Sequence, residues 1–356
     1  MPIRVLVTDD SAFMRRALRT MLQGEPGIEV VDVAANGKQA VEMAERYRPD
    51  LITLDIEMPE MDGLTALRHI MRKCPTQVLM CSSLTTEGSV EALQALRLGA
   101  ADFIAKDQSN FSLRITDMRD DLVRRVKALA GSRRLSDPAK PQATPTPANT
   151  TTTLGSLKAS SFDLIAIASS TGGPPVLETI LTAIPADLRC PVVVAQHMPR
   201  VFTQSMSTRL NEVCQAPATL LDDGDQLQPG TIHICAGGTH THLQGKAGLP
   251  TNLVAQQSDQ PKADLYKPSA SVLFETAAQF SAGRTLAIVL TGIGDDGLRG
   301  VRKLHELGAT VLTQSEESCV VYGMPRAVDE AGLSHASLTP EAMAQLLAGL
   351  KGRAAA

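Results

Sequence analysis

Ile3-Arg4-Val5-Leu6-Val7-Thr8-Asp9-Asp10-Ser11 is the stretch that decides the fold. A short apolar run ends on two aspartates, and Phe13, Met14, Ala17, Leu18, Met21 and Leu22 then recur at helical spacing. Such a run predicts a strand buried on both faces, and the recurrence predicts an amphipathic helix packed beside it. The unit repeats. Apolar runs return at Ile28–Val33, Leu51–Leu54, Val78–Cys81 and Phe103–Ala105, with helical patterns between them and a last helix near Leu113–Leu129. Strand and helix alternating five times predict a doubly wound parallel sheet, (βα)5.

Beyond it the composition changes. Between Gly131 and Ser160 the chain carries Pro138, Pro141, Pro145, Pro147 and the run Thr150 to Thr153, with almost no apolar face. A segment that buries so little cannot offset its ordering entropy, which predicts a flexible linker over 131–160. The expected domains are therefore 1–130 and 161–352. The second also alternates, with strands expected at Leu164–Ala168, Val192–Gln196, Ile232–Cys235, Leu286–Leu290 and Thr310–Thr313. Helices are expected to start at Pro174, Phe202, Ser269, Asp296 and Pro340, and 215–265 reads as less regular. A second α/β parallel-sheet domain is the expectation.

The chain has 356 residues, 43% hydrophobic and 20% charged, ample for two cores. A net charge of −4 argues against bulk electrostatic binding to nucleic acid or anionic membrane, and there is no Trp to stack on bases. No stretch approaches the ~20 apolar residues of a membrane span. Met1-Pro2-Ile3-Arg4 lacks the layout of a secretory leader. The six cysteines show no C-x-x-C spacing and read as buried thiols in a reducing compartment. The expected location is cytoplasmic, with neither nucleic-acid binding nor membrane insertion.

Open α/β sheets bind ligands beyond the carboxyl ends of their strands. There the first domain places Asp9 and Asp10 after its first strand, Asp55 after the third, Ser82 after the fourth and Lys106 after the fifth. Three converging carboxylates repel one another, so a cation belongs among them, and hard oxygen ligands suit Mg²⁺. With a lysine and a hydroxyl nearby, the set suits phosphoryl transfer onto Asp55. Val5-Leu6-Val7-Thr8-Asp9-Asp10-Ser11, Leu54-Asp55-Ile56-Glu57-Met58-Pro59, Met61-Asp62-Gly63, Ser82 and Phe103-Ile104-Ala105-Lys106 together resemble a response-regulator receiver domain, a flavodoxin-like fold. The resemblance implies that Asp55 accepts a phosphoryl group from a histidine kinase. It also implies that Asp10, Asp55 and the Glu57 carbonyl hold Mg²⁺ with help from Asp9. By the same resemblance Ser82 is the switch hydroxyl and Phe103 the switch aromatic, with Lys106 beside the phosphoryl site. Asp107 stands where the family usually has proline.

In the second domain, Ile167-Ala168-Ser169-Ser170-Thr171-Gly172-Gly173-Pro174 ends a strand, turns tightly and starts a helix with proline in its first turn. A hydroxyl there meets the positive end of the helix, which favours a developing oxyanion. A base is needed, and His197 and His242 are the histidines best placed; His240 and His242 could instead ligate metal. An acid to orient the base comes from Asp295 or Asp296. Ser170-Thr171-Gly172-Gly173-Pro174, Ala195-Gln196-His197-Met198-Pro199, Thr291-Gly292-Ile293-Gly294-Asp295-Asp296-Gly297 and Ser318-Cys319-Val320-Val321-Tyr322-Gly323-Met324-Pro325-Arg326 resemble the catalytic domain of the chemotaxis protein-glutamate methylesterases, the CheB family.

That resemblance implies Ser170 as nucleophile, His197 as base and acid, and Asp296 as orienter, with Thr171 and the Ile293 N–H at the oxyanion. It implies a phosphorylation-activated hydrolase that demethylates glutamyl esters of chemoreceptors and deamidates receptor glutamines, with no cofactor for the hydrolysis. Four places depart from the family pattern. Ile293 stands where the family usually has methionine, an exchange that keeps the backbone donor. Ser169 replaces an alanine and is a rival hydroxyl. Ala236-Gly237-Gly238-Thr239-His240-Thr241-His242 replaces A-P-G-D-x-H, and Tyr266-Lys267-Pro268-Ser269 replaces H-R-P-S.

Overall fold

The structure is a computed structural model that describes residues 1–106, 111–132, 162–246 and 249–350; the side chains of 111–117, 246, 249–251 and 282 lie outside that description. The chain divides into two compact units, Met1–Ala143 and Thr144–Ala356. Apart from Gly131 and Ser132, the expected linker 131–160 lies outside the described residues, as does Asp107.

The first unit has five parallel strands: β1 (Ile3–Thr8), β2 (Ile28–Ala34), β3 (Leu51–Asp55), β4 (Gln77–Ser83) and β5 (Asp102–Lys106). Their order is β2-β1-β3-β4-β5, so the chain reverses direction across the sheet between β1 and β3. Between and after them run α1 (Ala12–Gln23), α2 (Gly37–Tyr47), α3 (Gly63–Lys73), α4 (Thr86–Arg97) and α5 (Phe111–Gly131). Local chemistry starts each of the first four helices. Ser11, Asn36, Asp62 and Thr85 each accept a backbone N–H of the first turn, which satisfies a donor the helix cannot. The central strands are buried on both faces: Val5, Leu6, Val7, Ile52 and Leu54 have no exposed surface. Gly63 lets the loop after β3 fold back on itself, since a Cβ there would stand 2.0 Å from the Asp55 carbonyl oxygen.

The second unit is built on seven parallel strands in the order β14-β13-β12-β6-β7-β9-β8. β6 (Leu164–Ser169) lies at the centre. The chain fills one side through β7 (Val192–Gln196), β8 (Ala218–Leu221) and β9 (Ile232–Cys235). It then returns to the other side through β12 (Thr285–Val289), β13 (Thr310–Gln314) and β14 (Ala336–Leu338). The helices are α6 (Gly173–Leu181), α7 (Arg200–Val213), α8 (Ala270–Phe280), α9 (Leu298–Glu306), α10 (Met324–Glu330) and α11 (Pro340–Ala348). Small residues on the central strands, Ala166, Ala168, Ala195 and Ala287, join Phe274, Ala270 and Ala277 of α8 in one core.

The expected strands are all present, extended by a residue or two at some ends, while β12 starts one residue earlier than expected and leaves Leu290 outside. The stretch 215–265 is more regular than expected. It contains β8 and an antiparallel hairpin of β10 (His240–Lys246) and β11 (Leu249–Ser258). Polar residues such as Asn252, Gln256 and Gln257 mask that hairpin in the sequence. α10 and β14, seven and three residues long, are too short for periodicity to reveal. All six cysteines are free thiols, but Cys214 and Cys319 are only partly buried.

α9 packs against α8 through Gly300. A Cβ at that position would approach Phe274 Cβ to 2.4 Å and the Ser271 carbonyl oxygen to 2.8 Å. Gly300→Ala is therefore expected to force the two helices apart and to destabilise the second unit by about 1–3 kcal/mol. Chemical denaturation of the full chain measures this; wild-type stability would contradict the close approach.

Candidate active site

At the carboxyl edge of the first sheet, Asp9, Asp10, Ser11, Asp55, Glu57, Ser82 and Lys106 line a cavity of about 350 Å³. Asp9 and Asp55 are buried and Asp10 is exposed. Carboxylate oxygens of Asp9, Asp10 and Asp55 lie within 4.8 Å of one another. Lys106 Nζ reaches Asp55 Oδ1 at 2.6 Å and Asp9 Oδ2 at 3.3 Å. Burial raises the Asp55 carboxyl; Lys106 and the Ile56 N–H lower it, Asp9 raises it again, and the net is about 6. Burial opposes the Lys106 charge, but Asp55 and Asp9 hold its pKa above the ordinary value. Ser82 lines the cavity while its hydroxyl donates to the Gly88 carbonyl at 2.7 Å. Phe103 is 5% exposed and lies inside the sheet face rather than on the cavity wall.

The second sheet brings Ser170, His197 and Asp296 to the edge where the chain changes side. Ser169 and Gln196 are register partners on β6 and β7, and the His197 N–H donates to the Ser169 carbonyl at 3.1 Å. Just beyond β12 the Thr291 carbonyl accepts the Ser170 N–H at 3.0 Å. Three adjacent strand ends thus hold the three segments together. His197 Nε2 lies 2.8 Å from Asp296 Oδ2, with the imidazole 3% and the carboxylate side chain 12% exposed. His197 Nδ1 is buried with no partner. Bonded this way, Nε2 carries the proton and Nδ1 keeps its lone pair. Ser170, 6% exposed, makes no side-chain hydrogen bond among the described residues.

Asp296 is held from several sides. Its Oδ1 accepts from Ser269 Oγ (3.0 Å), the Ser271 N–H (2.9 Å) and its neighbour Gly297 N–H (2.9 Å); Oδ2 accepts the Ala270 N–H (2.7 Å) as well as His197. Ala270 and Ser271 form the first turn of α8, where free N–H groups and the helix dipole favour an anion. Burial alone would raise this carboxyl, but His197 and the Ser271 donors hold it well below its ordinary value.

The sequence left three choices that the structure separates. Asp295 is exposed, and Asp296 is the residue on the histidine. His242 is bonded to the Gln260 carbonyl at 2.9 Å and His240 to the Pro261 carbonyl at 3.2 Å; the two make no metal cluster among the described residues. Ser169 is wholly buried, its hydroxyl without a partner, and cannot meet a substrate. Thr171 is 2% exposed, and its carbonyl accepts from Thr291 Oγ1 at 2.9 Å. The Ile293 N–H makes no hydrogen bond among the described residues. Two features escaped sequence reasoning. Gly292 must lack a side chain, because a Cβ would stand 2.7 Å from Ser170 Cβ and 2.3 Å from Met324 Sδ. Tyr266 stacks on His197, with ring centroids 4.2 Å apart and planes 5° from parallel.

Fold and sites together define a phospho-acceptor receiver joined to an α/β domain of the methylesterase type. Residues 5–115 match the response regulator receiver domain and residues 165–347 match CheB methylesterase. The chain belongs to the CheB methylesterase family. It is 43% identical over 365 residues (97% of this chain, 98% of the relative) to protein-glutamate methylesterase/protein-glutamine glutaminase 1 of Oleidesulfovibrio alaskensis. It is 40% identical over 371 residues, with the same coverage, to the protein of that name from Vibrio cholerae. The Thermotoga maritima CheB methylesterase catalytic domain is 32% identical and superposes with a TM-score of 0.51, covering 53% of this chain and 98% of that one.

A carboxylate held below its unfolded pKa of 3.8 contributes stability that is fully present above that pH and lost progressively as pH falls below it and on through the lower folded value. In Asp296→Asn that contribution is absent. Melting curves of the full chain between about pH 7 and about pH 3 should show a shallower acid-side decline for the variant than for wild type.

Proposed function

We propose that the second unit hydrolyses glutamyl methyl esters, and the corresponding glutamine amides, on chemoreceptors, and that phosphorylation of Asp55 activates it. The observation that carries this reading is the His197–Asp296 pair on the strand end beside Ser170. Ser170 Oγ attacks the ester carbonyl carbon while its proton passes to His197 Nδ1, the nitrogen that Asp296 leaves free. The imidazolium so formed faces the Asp296 carboxylate. Collapse of the tetrahedral intermediate expels the methoxy group, which takes the proton from His197 and leaves as methanol. Water, deprotonated by the same nitrogen, then cleaves the glutamyl ester on Ser170. With a glutamine side chain the leaving group is ammonia. The oxyanion meets the unengaged Ile293 N–H and the segment of Thr171 at the start of α6.

Receiver domains depend on Mg²⁺ for phosphorylation, and the oxygen-only donor set of Asp9, Asp10 and Asp55 fits that ion. Asp10, Asp55 and the Glu57 carbonyl would hold it, with Asp9 assisting, and it would neutralise charge on a phosphoryl group arriving from a histidine kinase. Asp55 supplies the accepting oxygen, and Lys106 sits where it can pair with the phosphoryl oxygens. Ser82 and Phe103 are the residues through which the phosphorylated state is read. The protein works in the cytoplasm; no helix among the described residues is long and apolar enough to cross a membrane.

Methanol release from membranes bearing a carboxyl-methylated chemoreceptor tests the hydrolytic half. Ser170→Ala should lower it by at least about a thousandfold while leaving the fold intact; retained turnover would remove Ser170 from the reaction. Asp55→Asn should take up no radiolabel from a small-molecule phosphodonor, and the donor should no longer stimulate methanol release. Labelling that persists would place the acceptor elsewhere.

A further inference from the structure

We infer that Tyr266 is a positioning residue for His197: its ring fixes the plane of the imidazole that a single hydrogen bond leaves free to turn. The inference rests on the proposed role of His197 and goes beyond it in naming what makes that histidine competent.

Asp296 holds the imidazole at one atom, Nε2. A single hydrogen bond sets the distance and one direction, but the ring plane keeps its torsional freedom about the Cβ–Cγ bond. The opposite nitrogen has no partner to stop that rotation. Yet this nitrogen must face Ser170, and a small error in its aim is expensive in rate. The flat contact with Tyr266, 4.2 Å between centroids and 5° between planes, lies against the ring face and opposes that turn. A tilted imidazole would have to open that contact. The same aromatic face attracts a cation, so the contact also persists when the ring takes up a proton.

Tyr266 can serve only if its own loop is held, and it is anchored on both sides. Before it, Asp264 accepts two hydrogen bonds from the Arg299 guanidinium, at 2.9 and 3.2 Å, and shares with Asp296 the single proton of Ser269 Oγ, 2.9 Å away. After it, Lys267 Nζ reaches Asp259 at 2.7 Å and the Lys267 carbonyl accepts the Gly238 N–H at 3.2 Å. The buried His240, which the proposed reaction does not use, accepts the Ser269 N–H at Nδ1 (3.2 Å) and donates from Nε2 to the Pro261 carbonyl. One short loop thus supplies Ser269 to the carboxylate and Tyr266 to the imidazole.

The test compares Tyr266→Leu, Tyr266→Phe and Tyr266→His in the full chain, with Ser170→Ala as control, measuring methanol release from the same methylated membranes. Leucine fills space without a flat face, so kcat should fall about tenfold with KM unchanged, and either ring should restore it. Wild-type kcat in the leucine variant overturns the inference. So does a phenylalanine variant as slow as leucine, which would place the role in the hydroxyl, and so does a change confined to KM, which would make Tyr266 a substrate contact. Should leucine perturb the fold, the histidine and phenylalanine variants decide. Both should keep wild-type kcat and KM, and a loss of about tenfold in kcat in both overturns the inference. Full activity in Ser170→Ala would instead defeat the reading of the site itself, whatever Tyr266 does.

Discussion

A buried carboxylate needs donors, and Asp296 dictates how the second unit is put together. An unpaired charge at that depth would be too costly to keep, so every lone pair of the group is engaged. Two backbone N–H groups of α8, its own neighbour Gly297, the Ser269 hydroxyl and His197 all converge on it. That convergence requires the start of α8 to lie against the segment entering α9, and the bare surface of Gly300 against Phe274 permits it. The small side chains beneath, Ala166, Ala168 and Ala270, let the same helix settle on the sheet. The orientation of His197 is therefore a consequence of how two helices pack, transmitted through one anion.

The two sheets use one topological rule for different electrostatics. In each, candidate groups gather where the chain changes direction across the sheet. Asp55 is buried and Asp296 largely so, yet their affinities for protons move in opposite directions. Asp55 shares its cavity with Asp9 and draws on one lysine and one backbone N–H, so burial prevails. Asp296 has a helix terminus and a histidine, and burial loses. The first arrangement is short of positive charge and suits an incoming cation and phosphoryl group. The second is already satisfied and suits holding a base still.

The alternation of strands and helices was legible in the chain because apolar runs and helical periodicity survive without context. So were the strand-end residues, since the rule about carboxyl edges needs only the order of elements. What was not legible lay in elements whose residues lack a pattern of their own. The β10–β11 hairpin has polar residues on its open face, α10 is barely two turns, and β14 is three residues long. Tyr266 carried no local signal as a partner of His197, because the contact joins residues 69 positions apart that share neither a strand pair nor a helix.

By itself the sequence determined two α/β bodies and the short set of hydroxyls, histidines and acids that could reach each sheet edge. Residue type alone, apart from the family resemblance, could not choose among them. Ser169 and Ser170, and Asp295 and Asp296, are adjacent residues of like chemistry, while His197 and His242 are histidines 45 positions apart. Adjacent residues at a strand end point to opposite sides, so a single step in register separates a sealed group from one facing the cleft. Only the pairing of β6 with β7 and β12, and the seating of α8 on Asp296, set which of these groups are sealed, exposed or bonded.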